Sequence, residues 1–320
     1  MLTNIAVADM QLGDELEGFY VLSAASQRTT NSGKPYLTGT ISDRSGSMEL
    51  VAWDYAGGIG PEDNGQVVKL RGKVSEYRGG RQFSAQRIRL ADQNDRYELS
   101  ELVPTAPINL DAALAGIEAL IASLADDDYR RMAEEMLRRH RESFVRIPAA
   151  KSVHHGFLGG LLMHTANMLR TADFLAGQYA EVVNRDLLLC GTLLHDLAKE
   201  REFDFSPLGL AVDYSLEGQL LGHLVMGARE AAEAAEELGL PQEKSVLLQH
   251  LILSHHGEPE FGAAVRPMCA EAELLHLIDM IDSRMEIYAE TFQSLSAGSF
   301  SGKIFALDRK IYKPSDRETE

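Results

Sequence analysis

The chain is poor in several things, and each shortage excludes something. Its 320 residues include only two cysteines, Cys190 and Cys269, both in apolar or neutral surroundings. Two thiols cannot build a disulfide framework, and CxxC spacing is absent. Reduced thiols in a cytoplasmic protein are expected. No apolar run approaches the roughly 20 residues needed to cross a bilayer, so no membrane partner is expected. The start, MLTNIAVADM, lacks the basic flank and long apolar core of a signal peptide. Positive charge is also scarce. The formal net charge is −17, which taken alone argues against a nucleic-acid partner.

What is present is unevenly distributed. Between Gly13 and Ala91 there are ten basic and nine acidic residues, so the rest of the chain carries −18. Lys69, Arg71, Lys73, Arg78, Arg81, Arg87 and Arg89 cluster there, with Glu76 the only acid among them. A local basic surface on an acidic protein suits a polyanion. Solvated outward positions of strands would give the same pattern.

Five strand-like runs occupy this region: GFYVLSAAS, PYLTGTIS, MELVAWD, QVVKLRGKVSEY and RQFSAQRIRLA, separated by Gly- and Asp-rich breakers. Five short strands with a Gly-rich interruption after the third suit a small OB-type barrel. Such barrels hold single strands with basic grooves and aromatic platforms. The candidate platforms are Tyr36, Trp53, Tyr55, Tyr77 and Phe83. Tyr77 and Phe83, flanked by Arg78 and Arg81, favour binding. Trp53, the one tryptophan, has neighbours Leu50 and Val51 without clean alternation and is expected in the core.

A polar, two-proline connector runs from Asp92 to Leu110, and Asn109 or Asp111 can cap the helix that follows. A second amphipathic helix, DDDYRRMAEEMLRRHRESFVRI, comes next. Its His140, set among Arg138, Arg139 and Arg141, reads as a solvated residue. From Pro148 to about Glu290 the pattern is helical, and nine of the ten histidines lie there.

The stretch DLLLCGTLLHDLAK is apolar nearly all round and ends in His195, Asp196 and Lys199. A buried ionised Asp costs several kcal/mol unless paired or bound to metal. Neighbouring helix positions do not face each other, so His195 and Asp196 are poorly placed to satisfy only one another. Other apolar helices add His164, His223, the pair His255 and His256, and Asp279. Asp282, one turn after Asp279, could face solvent, and His250 belongs on another face. Imidazole with carboxylate suits Mn, Fe, Co or Zn rather than Ca or Mg. Six ligands are too many for one open catalytic ion and about right for two, with Asp196 able to bridge.

The order His164, His195-Asp196, Asp279 resembles the signature of the HD phosphohydrolase superfamily, whose helical domains hydrolyse phosphate esters with divalent metal. The stretches PAAKSVHHGFLGGLLMHT, LLHDLAKEREF, YSLEGQLLGH, LSHHGEPEFGAAVRPMCAEAELLHLIDMIDSRM and FALDRKIYKP are similar to those of YhaM-type 3′-5′ exoribonucleases. In that family, too, an OB-type domain precedes the HD domain. One departure is Met163, where the resemblance implies an acidic outer partner for a ligand.

The expectation is therefore a multidomain β plus all-α chain. An OB-type barrel spans 1–92, connecting helices 93–147, an HD domain 148–290 and a tail 291–320. The resemblance implies two divalent ions, manganese first and Fe, Co or Zn as alternatives, held by His164, His195, Asp196, His223, His255 and Asp279. Such ions lower the pKa of water and stabilise charge developing on phosphoryl oxygens. Single-stranded RNA, and DNA with it, would be cut to nucleoside 5′-monophosphates. Lys199 would hold a phosphate oxygen, and His256 would donate to the leaving oxygen or support a ligand. Lys151, His154 and His155 would contact the terminal nucleotide. Lys69, Arg71, Lys73, Tyr77, Arg78, Arg81 and Phe83 would hold the strand. Two readings compete: a phosphohydrolase for a nucleotide or cyclic dinucleotide, and a non-catalytic OB adaptor. No GYP motif follows the His pair, and every expected ligand is present. A homo-oligomer is left open.

Overall fold

The computed structural model describes residues 4–150 and 156–315. It divides into two compact units, residues 1–105 with 206–208 and residues 106–205 with 209–320. Each is described by itself.

The first unit is a closed five-stranded barrel: β1 (Glu15–Thr29), β2 (Pro35–Asp43), β3 (Gly46–Trp53), β4 (Val67–Tyr77) and β5 (Gly80–Leu90). The strand order is β1-β2-β3-β5-β4, with β3 and β5 parallel and the other neighbours antiparallel. β1 serves both sides of the closure. Its first half pairs with β4 and its second half with β2, and the strand bends at an irregularity between Ser23 and Ser26, where Ala24 takes φ +49°. Inward residues including Tyr20, Leu22, Leu37, Ile41, Leu50, Val68, Leu70, Val74 and Phe83 fill the interior.

This unit runs past residue 92. The short helix α1 (Leu99–Leu102) buries Leu102 against Phe19 and Val67, and Tyr97 packs on Phe19 with ring centroids 5.2 Å apart. The connector is therefore partly barrel wall.

The second unit is helical. α2 (Leu110–Ala122) is capped by Asn109, whose side chain accepts from the Ala112 N–H, as the sequence suggests. α3 (Asp127–Arg146) buries Tyr129, Met132, Ala133, Met136, Leu137, His140 and Phe144, one stripe at helical spacing. His140 sits on that stripe and is 5% exposed, so it is not the solvated residue its arginine neighbours suggest. Glu200 and Glu230 face its ring at 2.8 and 3.4 Å.

α4 (Gly160–Gln178) and α5 (Arg185–Leu194) follow, then α6 (Lys199–Glu202) and a hairpin of β6 (Phe203–Phe205) and β7 (Ala211–Tyr214). α7 (Leu216–Leu220), α8 (Gly222–Leu238), α9 (Gln242–Ser254) and α10 (Ala270–Ser294) complete the unit's main helices. α5 is buried from Asp186 to Leu194. It lies close against α9 because Gly191 carries no side chain. A Cβ there would fall 2.3 Å from Leu251 Cδ2. The tail folds back as β8 (Ser299–Phe300) with β9 (Tyr312–Lys313), and the Lys313 ammonium caps the carbonyls of Phe292 and Leu295 at the end of α10. Among the described residues, no helix is long and apolar enough to cross a membrane.

Candidate metal centre and nucleic-acid interface

Five segments of the helical unit deliver side chains to one buried point. α4 brings His164, and the turn after α5 brings His195 and Asp196. The start of α8 brings His223, the residues just beyond α9 bring His255 and His256, and α10 brings Asp279. Asp196 lies at the centre and is 2% exposed. Its Oδ2 faces His195 Nε2 at 3.2 Å and His164 Nε2 at 3.8 Å. Its Oδ1 faces His223 Nε2 at 3.3 Å and His255 Nε2 at 3.8 Å. Asp279 Oδ1 is 3.4 Å from His164 Nε2. His195 and Asp196 do approach one another, because residues 195–198 form a turn rather than a continuing helix.

The outer nitrogens settle what the inner ones can do. His195 Nδ1 lies 2.8 Å from the Thr192 carbonyl, and His255 Nδ1 lies 2.8 Å from that of Ile252. A carbonyl only accepts, so both Nδ1 atoms carry the proton. His223 Nδ1 donates to Glu202 Oε1 at 2.8 Å, and His164 Nδ1 to Asp282 Oδ2 at 2.7 Å. A ring so bonded, when neutral, turns its Nε2 lone pair toward the carboxylate oxygens. Acceptors facing acceptors repel unless something positive lies between them. His195 Nε2, His223 Nε2, Asp196 Oδ1 and His256 Nδ1 are buried without a hydrogen-bond partner among the described residues. Ligand atoms bound about 2.1 Å from one ion stand roughly 3.0–3.4 Å apart, and the Nε2-to-oxygen spacings fall close to that range. The residues therefore fit divalent metal. Two groups have ligand atoms within 4.8 Å of one another, His164 with His195 and Asp196, and His223 with His255 and His256.

The charges at the site differ from ring to ring. Burial opposes ionisation of Asp196, yet His195 and Lys199 outweigh it and hold the carboxyl well below its usual range. Burial likewise depresses the His164 imidazolium, but Asp279 and Asp282, one at each ring nitrogen, raise its pKa to about 10, so this ring is charged at neutral pH and would give up its Nε2 proton to bind an ion. Burial, then His195 and His256, push His255 far down, so its ring is neutral. Burial and His223 lower His256 to about 4. A neutral His256 is a poor proton donor at pH 7, and its grouping with His223 and His255 suits a third imidazole there. The Lys199 ammonium lies 2.7 Å from Asp196 Oδ2, so it already holds that carboxylate.

Two partners escape the sequence reading. Asp282 does not face solvent; three residues after Asp279, it lies on the same face of α10 and orients His164. It supplies the outer acceptor that Met163 does not. Glu202, in α6, accepts from both the ring and the backbone N–H of His223. Gly257 ends the α9 segment with φ +79°, and a Cβ there would lie 2.3 Å from the His276 ring. His276 in turn donates to the His255 carbonyl at 2.9 Å. Lys151, His154 and His155 lie outside the described residues.

On the barrel the expected strand-holders separate. Phe83 is fully buried beneath β3 and β4, so it cannot stack a base. Trp53 is 56% exposed and is not core. It stacks across the β2–β3 pair on Tyr36, with ring centroids 4.9 Å apart. These two rings, with Arg28, Tyr77 and Arg78, border a groove of about 460 Å³. The β4 face is different. Lys69 pairs with Glu17 at 3.3 Å and Asp95 at 3.8 Å, and Lys73 approaches Glu15 at 3.9 Å. Arg81 donates to the Met10 carbonyl. Arg71 remains exposed, opposite Arg87.

Comparison with known proteins agrees with both halves. The HD domain family model matches residues 161–284, and an OB-fold nucleic acid binding domain model matches 22–91. A model described as a putative helicase matches 116–184. The chain is 37% identical to the 3′-5′ exoribonuclease YhaM of Halalkalibacterium halodurans, over 96% of both chains. It is 34% identical to the YhaM of a Geobacillus species over 96% of this chain and 94% of that one. With the YhaM of Shouchella clausii the identity is 36%, over 95% of each.

Proposed function

The chain belongs to the YhaM 3′-5′ exoribonuclease family, and on that premise we propose that it removes nucleoside 5′-monophosphates from the 3′ end of single-stranded RNA, using two divalent ions. The observation that carries this is the convergence of four imidazole Nε2 atoms on Asp196, each with its Nδ1 already bonded outward. His164, His195, Asp196 and Asp279 would hold one ion; Asp196, His223, His255 and His256 would hold the other. Manganese suits this nitrogen-and-oxygen set, as Fe, Co or Zn would. When bound, such ions supply a water of lowered pKa and neutralise charge on phosphoryl oxygens.

The chain's own groups do the rest. Thr192, Ile252, Glu202 and Asp282 fix four rings in one tautomer and one orientation. Lys199, buried beside Asp196, would hold a phosphate oxygen entering the site. The groove bordered by Trp53, Tyr36, Tyr77, Arg28 and Arg78 would hold the strand by stacking and charge. The cytoplasm is the compartment that suits two free thiols.

The test is Asp196→Ala assayed on end-labelled single-stranded RNA with manganese. Loss of the mononucleotide ladder is expected, and undiminished release would refute the assignment. Turnover on free nucleotides that exceeds turnover on oligonucleotides would favour a small-molecule phosphohydrolase instead.

A further inference from the structure

Beside the metal centre, a pocket of about 230 Å³ opens along α10 and the loop after α9, and His256, Phe261, Asp279, Met280 and Arg284 line it. It is small against the roughly 300–1,000 Å³ of drug-sized sites and suits a single ring system. Two features of its wall have no structural use in the protein. Phe261, at the end of the 3-10 turn Pro259–Phe261, leaves 70% of its surface exposed. Arg284 is exposed one turn beyond Met280 and makes no hydrogen bond or ion pair among the described residues. His256, which with His223 and His255 would hold the second ion, forms the pocket's inner end. A solitary exposed phenylalanine means little. Here it shares a pocket with an uncommitted guanidinium and with Asp279, a member of the metal cluster. The loop that carries it is also held in place. Gly257, His276 and the His255 carbonyl lock its root, and Arg266 pairs with Glu258 at 2.7 Å.

We propose that this pocket receives the 3′-terminal nucleotide, with its base stacked on Phe261 and its phosphate held by Arg284. The inference rests on the exonuclease reading and names the subsite that presents the last nucleotide to the metal centre. Every base offers a π-face, so a stacking platform grips the end of any sequence. The guanidinium adds a positive charge on the same pocket wall as the Asp279 carboxylate. Recognition of the terminal base also explains how a site can act on one nucleotide at a time without reading its identity.

The experiment uses the full-length, manganese-loaded protein and two 5′-labelled RNA oligonucleotides. One ends in an ordinary nucleotide, the other in an abasic 3′ residue. Phe261→Ala is expected to lower kcat/KM for removal of the ordinary terminal nucleotide by about 10- to 100-fold. Removal of the abasic residue, already slow in the parent protein, should fall less than twofold further. Phe261→Tyr should restore the ordinary rate. Arg284→Gln should raise KM on both substrates and reduce its dependence on salt. Both side chains are exposed, and manganese content per chain should stay at the parent value. Equal losses on both substrates, or no loss with Phe261→Ala, overturn this inference alone. A parent protein that shortens neither oligonucleotide overturns the exonuclease reading, and this inference with it.

Discussion

Glu202 and Asp282 support different ligands of the proposed two-ion centre, His223 and His164, and replacing each should damage a different half. Glu202 is 7% exposed and accepts two hydrogen bonds from His223, one from the ring at 2.8 Å and one from the backbone at 3.0 Å. Asp282 accepts from the His164 ring at 2.7 Å. Carboxylates in this position fix the ring and raise the basicity of its Nε2, and their loss typically costs about 10- to 100-fold in metal affinity. That corresponds to roughly 1.4–2.7 kcal/mol. Glu202→Gln should fall near the upper end, because an amide oxygen can still accept but no longer carries the charge that favours a proton at Nδ1. Asp282→Asn should fall lower, because Asp282 is the more solvent-exposed of the two carboxylates. The assay is calorimetric titration of the demetallated protein with manganese, fitted to two sites. Glu202→Gln should weaken one site and Asp282→Asn the other, while the double variant weakens both. If either single variant left both affinities within about twofold of the parent, the assignment of outer partners would be wrong.

Other outcomes are equally specific. Trp53→Ala should weaken binding of a single-stranded oligonucleotide by about 1–3 kcal/mol, read by retention on filters. Replacing Arg28 and Arg78 together by Gln should reduce the slope of log K against log salt by about 1.4, whereas replacing Lys69 and Lys73, already paired with Glu17, Asp95 and Glu15, should change it less. The Arg89 hydrogen bonds lower the Asp95 pKa to about 2. A folded-state pKa below the unfolded value adds stability that is complete above about pH 4 and is lost as pH falls toward 2. With Arg89 half-exposed, solvent screening limits it to about 1 kcal/mol or less. Urea unfolding followed by Trp53 fluorescence should show Asp95→Asn less stable than the parent at pH 6 and equal to it near pH 2. An unchanged difference across that range would contradict this pairing.

Much of the architecture was written in local patterns. Alternation in β4, with Val68, Leu70 and Val74 inward, marks a barrel strand, and the apolar α5 announces a buried helix with an Asp that needs a partner. β5 misleads for a physical reason. The pairing with β4 slips between Arg71 and Gly72, so Phe83 and Ala85 point inward on one parity and Ile88 and Leu90 on the other. Phe83 therefore resembles an outward aromatic. Trp53 errs the opposite way, since Leu50, Val51 and Ala52 are all buried before the strand end turns it outward. His140 was legible from helical spacing, four residues after Met136 and four before Phe144, and hidden only by the arginines beside it. Asp282 was legible in the same way, three residues after Asp279. Glu202 was not. Its meeting with His223 depends on the α6 turn and on a separation of 21 residues that no local pattern records.

The most direct measurement is anomalous scattering from crystals of the protein grown with manganese. Two peaks are predicted, one on each side of the Asp196 carboxylate, the first within bonding distance of His164 and His195 and the second of His223 and His255. A single peak that Asp196 does not touch, or none at full manganese saturation, would contradict the two-ion centre.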